Sequence, residues 1–176
     1  MVGGSQSAAV FGRVVPPALL ALEEGVRRRL QVSLQYRGDD ADEIAARLGE
    51  AGIDADVRPF FDDMGERLCD AHLLIARAGA TTAADLLTVG RPAIFVPIPH
   101  GGSREEQRRN ADTLADAGVG WCVPEPELTP DALAALLAEL FASPTALPEA
   151  ARAAAALGKP EAASLLADAV ERLLPG

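Results

Sequence analysis

Four short stretches of this chain carry residue types that can do chemistry. The first is Gly3-Gly4-Ser5-Gln6. Paired glycines let backbone N–H groups approach a phosphate, and a helix beginning just beyond them turns its positive end toward the same anion. Ser5 adds a hydroxyl donor and Gln6 an amide, although such a turn also occurs with no ligand at all. The second is Arg77-Ala78-Gly79-Ala80-Thr81-Thr82-Ala83-Ala84-Asp85. Gly79 permits a tight turn, the amides of Ala80, Thr81 and Thr82 fall at a helix N-terminus suited to a pyrophosphate, and Asp85 can accept hydrogen bonds from a ribose diol. Thr82 and Asp85 also have the spacing of a capping box, a purely structural arrangement.

The third stretch runs from Pro97-Ile98-Pro99-His100-Gly101-Gly102-Ser103 into Arg104-Glu105-Glu106-Gln107-Arg108-Arg109-Asn110. Gln107 and Asn110 are one helical turn apart, so their amides can pair with sugar hydroxyls, which need donors and acceptors together. The alternative is a solvated, charged helix face. His100 has the chemistry of a general base, but a lone loop histidine is more commonly a surface residue. The fourth is Phe60-Phe61-Asp62-Asp63-Met64, where an aromatic pair at a strand end can flank a flat base or can simply be core beside an Asp cap.

The elements that must position these residues alternate. Apolar and polar residues alternate over 30–36, and near-continuous apolar runs at 72–76 and 93–96 suit strands buried on both faces of a parallel sheet. Further strands are expected at 56–60 and 119–123. Helices are expected at 7–14 and 16–24, with Pro16-Pro17 as a break, and at 39–51, 62–70, 81–89, 104–117, 131–141, 147–157 and 160–174. Gly52, Gly90 and Gly118 stand where helices should stop, and Thr129-Pro130 reads as an N-cap followed by proline at the first helical position. Strand, loop and helix in repetition give an α/β fold, a Rossmann-like doubly wound parallel sheet with ligands at the carboxyl ends of its strands. One domain, 1–176, accounts for everything. Met1-Val2 is too short to be the strand that such a glycine turn follows, since strands average about five to six residues, so the first strand is expected to be cut short.

Bulk properties narrow the function. The chain has 176 residues, 49% hydrophobic and 24% charged, with a formal net charge of -10. That charge disfavours nonspecific binding to nucleic acid or to an anionic membrane. No apolar run has the length of a membrane span and no signal peptide is evident, which places the chain in the cytoplasm by expectation. Cys69 and Cys122 have no close-spaced ligand partners, so two reduced, mostly buried thiols are expected, with no metal and no cofactor.

Taken together, GGSQSA, FFDDM, ARAGATTAADL, GRPAIFVPIPH, EEQRRNA and the AGVG turn before WCVPEPELTP resemble the C-terminal domain of the MurG family, the GlcNAc transferases that convert lipid I into lipid II in bacterial cell-wall synthesis. The resemblance covers nearly the whole chain. It implies the second of two Rossmann-like domains of a GT-B enzyme, binding UDP-GlcNAc, while the N-terminal domain that binds lipid I at the inner face of the membrane, and the general base, lie elsewhere. By the same resemblance Ser5 contacts the diphosphate with Gln6 close by. Phe61 reads uracil through its backbone, Ala80, Thr81 and Thr82 hold the diphosphate and sugar, Asp85 takes the ribose, and Gln107 with Asn110 recognises the GlcNAc hydroxyls. This half then carries no catalytic residue of its own. Three positions depart from the family pattern: Ser7 stands where Gly is usual, Asp85 replaces a longer Glu, and Glu106 sits where some members carry a second Gln. The same region is similar to the donor-binding subunit of a two-chain GlcNAc transferase. A nucleotide-binding module without transferase activity is the remaining alternative, disfavoured because neither GxGxxG nor GxxxxGK[ST] occurs.

Overall fold

Side chains of the two innermost strands alternate between two separate apolar clusters, as burial on both faces of a sheet requires. Ile75, Ile94 and Val96 join one cluster with Phe11, Val15, Leu48 and Leu137. Leu74, Ala93 and Phe95 join the other with Leu86, Ala111, Leu114 and Ala154. A computed structural model describes residues 8–173. Its elements run α1 (Ala8–Leu20), α2 (Glu24–Arg27), β1 (Gln31–Gln35), α3 (Ala41–Glu50), β2 (Asp54–Arg58), α4 (Met64–Asp70), β3 (Leu74–Ala76), α5 (Ala80–Val89), β4 (Ala93–Phe95), α6 (Arg104–Asp116), β5 (Gly120–Cys122), a 3-10 turn (Glu125–Glu127), α7 (Pro130–Ala142), α8 (Ala146–Leu157) and α9 (Ala162–Glu171).

All strand pairs are parallel, in register Gln31↔Asp54, Leu74↔Ala93 and Ala93↔Gly120 at their starts. Among the described residues the sheet comes in two pieces, β2–β1 and β3–β4–β5. A doubly wound sheet orders its strands three-two-one-four-five-six, so with β1 as the second strand the break falls at the place of the first. A groove of about 1150 Å³ runs there, lined by Val32 of β1, Leu74 and Ile75 of β3, Leu19 of α1 and Leu140 of α7.

Several expectations are corrected. Helix α1 runs through Pro16 and Pro17 without breaking. Proline at these positions removes the N–H groups that would reach Gly12 and Arg13, and packing offsets the loss, since Val15, Ala18 and Leu19 are buried and α1 lies against α7. Gly12 serves a second purpose, since a Cβ there would lie 2.1 Å from the Tyr36 ring, which packs across the helix. Strand β2 lies two residues earlier than the reading of 56–60, because Asp54 rather than Asp56 pairs with the start of β1. The thiols are not both buried either, for Cys69 is exposed and Cys122 half-buried.

The helix stops are as read. Gly90 takes φ +66° at the end of α5, a left-handed conformation that L side chains resist, and Gly52 and Gly118 do likewise. Thr129 caps α7, its hydroxyl accepting from the Ala132 N–H at 3.2 Å. Helix α8 packs on α5, whereas α9 buries none of its residues.

Candidate functional site

The carboxyl ends of β3, β4 and β5 bring three loops together, and polar side chains tie them to one another. After β3 the chain passes through Arg77 and Ala78 to Gly79, which stands as N-cap of α5 with extended backbone (φ -68°, ψ 151°) and no capping side chain. The next three residues, Ala80, Thr81 and Thr82, form the first turn, where backbone N–H groups have no intrahelical acceptor. Ala80 and Thr81 are exposed and Thr82 is half-buried, and no acidic side chain in that turn competes for the amides. Thr82 sits inside the helix and not at its cap, so the capping-box reading of Thr82 and Asp85 fails. Asp85 is exposed one turn further along.

Helix α6 lies beside this turn. Asn110 donates its Nδ2 hydrogen to the carbonyl of Ala78 at 3.0 Å, which holds the backbone just ahead of Gly79. Gln107 accepts the N–H of Ile98 on its Oε1 at 3.2 Å. Its Nε2 faces the other way, 4.0 Å from where a Cβ on Gly79 would stand. One amide therefore fixes the loop after β4 and presents its N–H₂ group next to the start of α5. Gln107 and Asn110 do share a face, as their spacing suggested, but Asn110 uses its amide nitrogen on the protein backbone. His100 is exposed on the loop after β4, the surface placement favoured from sequence.

Phe61 lies on the turn between β2 and α4. Phe61 is 3% exposed as a residue and Phe60 is 60% exposed. The guanidinium of Arg67 stacks on the Phe61 ring at 4.1 Å from its centroid. That guanidinium is itself fixed by Asp63 and Asp56, each at 2.8 Å, and by the Ser33 hydroxyl at 2.6 Å. The hydrogen bond from Arg67 holds the Asp63 carboxyl below the usual carboxylate range. The Phe61 ring is thus core and does not flank a base, while its backbone N–H and C=O have no partner among the described residues. Ser5 and Gln6, with Ser7, lie outside the described residues.

Two residues to which the sequence reading gave no role, Arg77 and Glu125, complete the arrangement. Arg77 is 7% exposed, the one charged side chain buried to that degree among the described residues. Its Nη1 donates to the carbonyls of Val96 and Pro97 at 3.1 and 3.2 Å, and its Nη2 pairs with the carboxylate of Glu125. The signal for it was an arginine directly after the apolar run HLLIA. Burial, with a smaller contribution from the Asp112 carboxylate, pushes the Cys122 thiol up, so this cysteine is a protonated thiol and a poor nucleophile. Among the described residues no group of His, Cys, Asp and Glu side chains is arranged to hold a metal ion.

A doubly wound parallel domain with a helix N-terminus and amide side chains gathered at its strand ends is a Rossmann-like domain of the kind that takes its ligand at the carboxyl ends of its strands. More particularly, the chain belongs to the glycosyltransferase family 28 C-terminal domain family, whose model matches residues 1–166. Two curated relatives, each a UDP-N-acetylglucosamine--N-acetylmuramyl-(pentapeptide) pyrophosphoryl-undecaprenol N-acetylglucosamine transferase, are similar along almost its whole length. The one from Granulibacter bethesdensis is 47% identical over 99% of this chain and 45% of its own length. The one from Rhodospirillum centenum is 49% identical over 97% of this chain and 45% of its own. Among solved structures, Acinetobacter baumannii MurG superimposes with a TM-score of 0.82 at 30% identity, covering 97% of this chain and 50% of that one. The chain thus spans about half the length of the relatives it matches.

Proposed function

We propose that this domain binds UDP-N-acetylglucosamine and serves as the donor half of an inverting transferase that makes lipid II from lipid I. The observation that carries the reading is the juxtaposition at Gly79: uncapped amides of a helix N-terminus with the Gln107 N–H₂ group beside them. An anion site and a hydroxyl-recognising amide within one turn of each other match a diphosphate joined to a sugar. Asp85 takes the ribose, the backbone of Phe61 reads uracil, Ala80, Thr81 and Thr82 hold the diphosphate, and Ser5 and Gln6 add to it. Gln107 meets the sugar hydroxyls, with Asn110 acting behind it on the Ala78 carbonyl. In the reaction a hydroxyl of the lipid-linked acceptor attacks the anomeric carbon, the bond to the diphosphate breaks, and the α5 amides stabilise the charge on departing UDP.

The acceptor site and the general base belong, on this proposal, to the N-terminal domain of a longer chain. The working enzyme sits at the cytoplasmic face of the membrane. The lipid named for the relatives supports that location, and no helix among the described residues is long and apolar enough to cross a bilayer. No nucleic acid is a partner, in keeping with the charge of -10. Isothermal titration tests the donor site. UDP should bind the chain, and Asp85→Ala should weaken it by about fivefold or more, the worth of one hydrogen bond. Unchanged affinity in Asp85→Ala would remove Asp85 from the ribose site.

A further inference from the structure

We propose that Arg77 is a positioning residue of the donor site, its guanidinium and Glu125 together setting where the Gly79–Thr82 turn stands relative to the loop after β4. This rests on the reading of that turn as the diphosphate site. Arg77 precedes Gly79 by two residues, so its main chain leads directly into the turn, while its side chain crosses beneath the neighbouring loops. One planar group reaches three elements. It donates to the carbonyls of Val96 and Pro97 at the end of β4, pairs with Glu125 on the 3-10 turn after β5, and lies 5.5 Å from the ring centroid of Phe11 on α1.

The chemistry of the brace explains why arginine stands here. A planar fork can bind two carbonyls with one nitrogen and a carboxylate with the other, and an ammonium group cannot hold that geometry. Burying an ion pair is costly, and replacing both partners together with apolar side chains of similar size is often neutral or stabilising. Its Nε has no hydrogen-bond partner, so the buried group is not even fully satisfied. What the guanidinium adds over an apolar residue is direction, and the loops it directs are the ones flanking the diphosphate turn. Asn110 on Ala78 and Gln107 on Ile98 tie the same two loops from the α6 side. Arg77 is buried below the turn, so it acts through the backbone and not on the ligand.

Titrations of the full chain with UDP and with uridine, alongside thermal melts, test this. Displacing the turn should damage diphosphate binding and spare the uridine contacts at Phe61 and Asp85. Arg77→Met is expected to weaken UDP by about tenfold or more and uridine by less than about threefold, since a displaced turn loses at least one hydrogen bond to the charged diphosphate. Arg77→Lys should recover only part of the loss, and Glu125→Gln combined with Arg77→Met should add little to Arg77→Met alone, as expected of one coupled unit. Equal losses for UDP and uridine, or unchanged UDP affinity in a folded Arg77→Met, would overturn the proposal. If Arg77→Met does not fold, Glu125→Gln decides: weaker UDP with unchanged uridine supports the brace, and wild-type affinity for both overturns it. Absence of UDP binding by the wild-type chain would instead sink the donor-site reading itself.

Discussion

Replacing Gln107 with alanine separates two roles that the structure gives to one amide. Its Oε1 accepts the Ile98 N–H at 3.2 Å in a half-buried position. Losing that acceptor costs about 0.5–1.5 kcal/mol of stability, the net worth of a neutral hydrogen bond. For a chain of this size the melting temperature should then fall by about 1–6 °C, given roughly 2–4 °C per kcal/mol. Its Nε2, next to Gly79, is the half that meets the sugar. One to two lost hydrogen bonds there weaken UDP-N-acetylglucosamine by about five- to thirtyfold, whereas UDP, which lacks the sugar, should weaken by less than about threefold. Gln107→Glu keeps the acceptor for Ile98 and replaces the donor with a negative charge, so it should melt near wild type yet bind both ligands poorly. The assay is isothermal titration with each ligand on each variant, with a thermal melt as control. Equal losses of UDP and UDP-N-acetylglucosamine in a cooperatively folded Gln107→Ala would refute the assignment of this amide to the sugar.

Two further outcomes follow from the same geometry. Tyr36 is the sole tyrosine of the chain, and its hydroxyl donates to Asp40 at 2.8 Å, which raises its pKa above the ordinary value of 10.0. The neutral phenol is therefore favoured in the folded state, and its contribution to stability is complete below pH 10 and declines as the pH rises through the raised value. An ultraviolet titration should show phenolate forming later than in free tyrosine, and Asp40→Ala should bring it back, with an unshifted wild-type curve counting against the hydrogen bond. Gly90→Ala should lower stability by about 1–2 kcal/mol from the left-handed backbone alone, with more added by a Cβ placed 3.0 Å from that of Ala155. A chemical denaturation midpoint equal to wild type would contradict that conformation.

The sequence made the frame legible where physics is local. The runs HLLIA and AIFV suited strands buried on both faces of a parallel sheet, and 74–76 and 93–95 form them, while glycines at 52, 90 and 118 end helices because positive φ suits little else. Prolines 16 and 17 misled, because tertiary packing of α1 against α7 overrides the local cost of proline. At the site, Gly79–Thr82 was readable as a helix start, and Gln107 and Asn110 as one face. What the sequence did not disclose was direction. Asn110 turns to the Ala78 carbonyl, and the Phe61 ring turns under Arg67 and away from any base. Arg77 and Glu125 lie 48 residues apart, and nothing in the one-dimensional pattern pairs them.

The most direct test of the donor-site assignment is a competition titration of the purified chain with UDP-N-acetylglucosamine, UDP, ATP and NAD. The site at Gly79, Asp85 and Gln107 predicts saturable binding of the two uridine nucleotides to one shared site, with neither ATP nor NAD displacing them at comparable concentration. Absence of heat with either uridine nucleotide, or tighter binding of ATP or NAD, would contradict it.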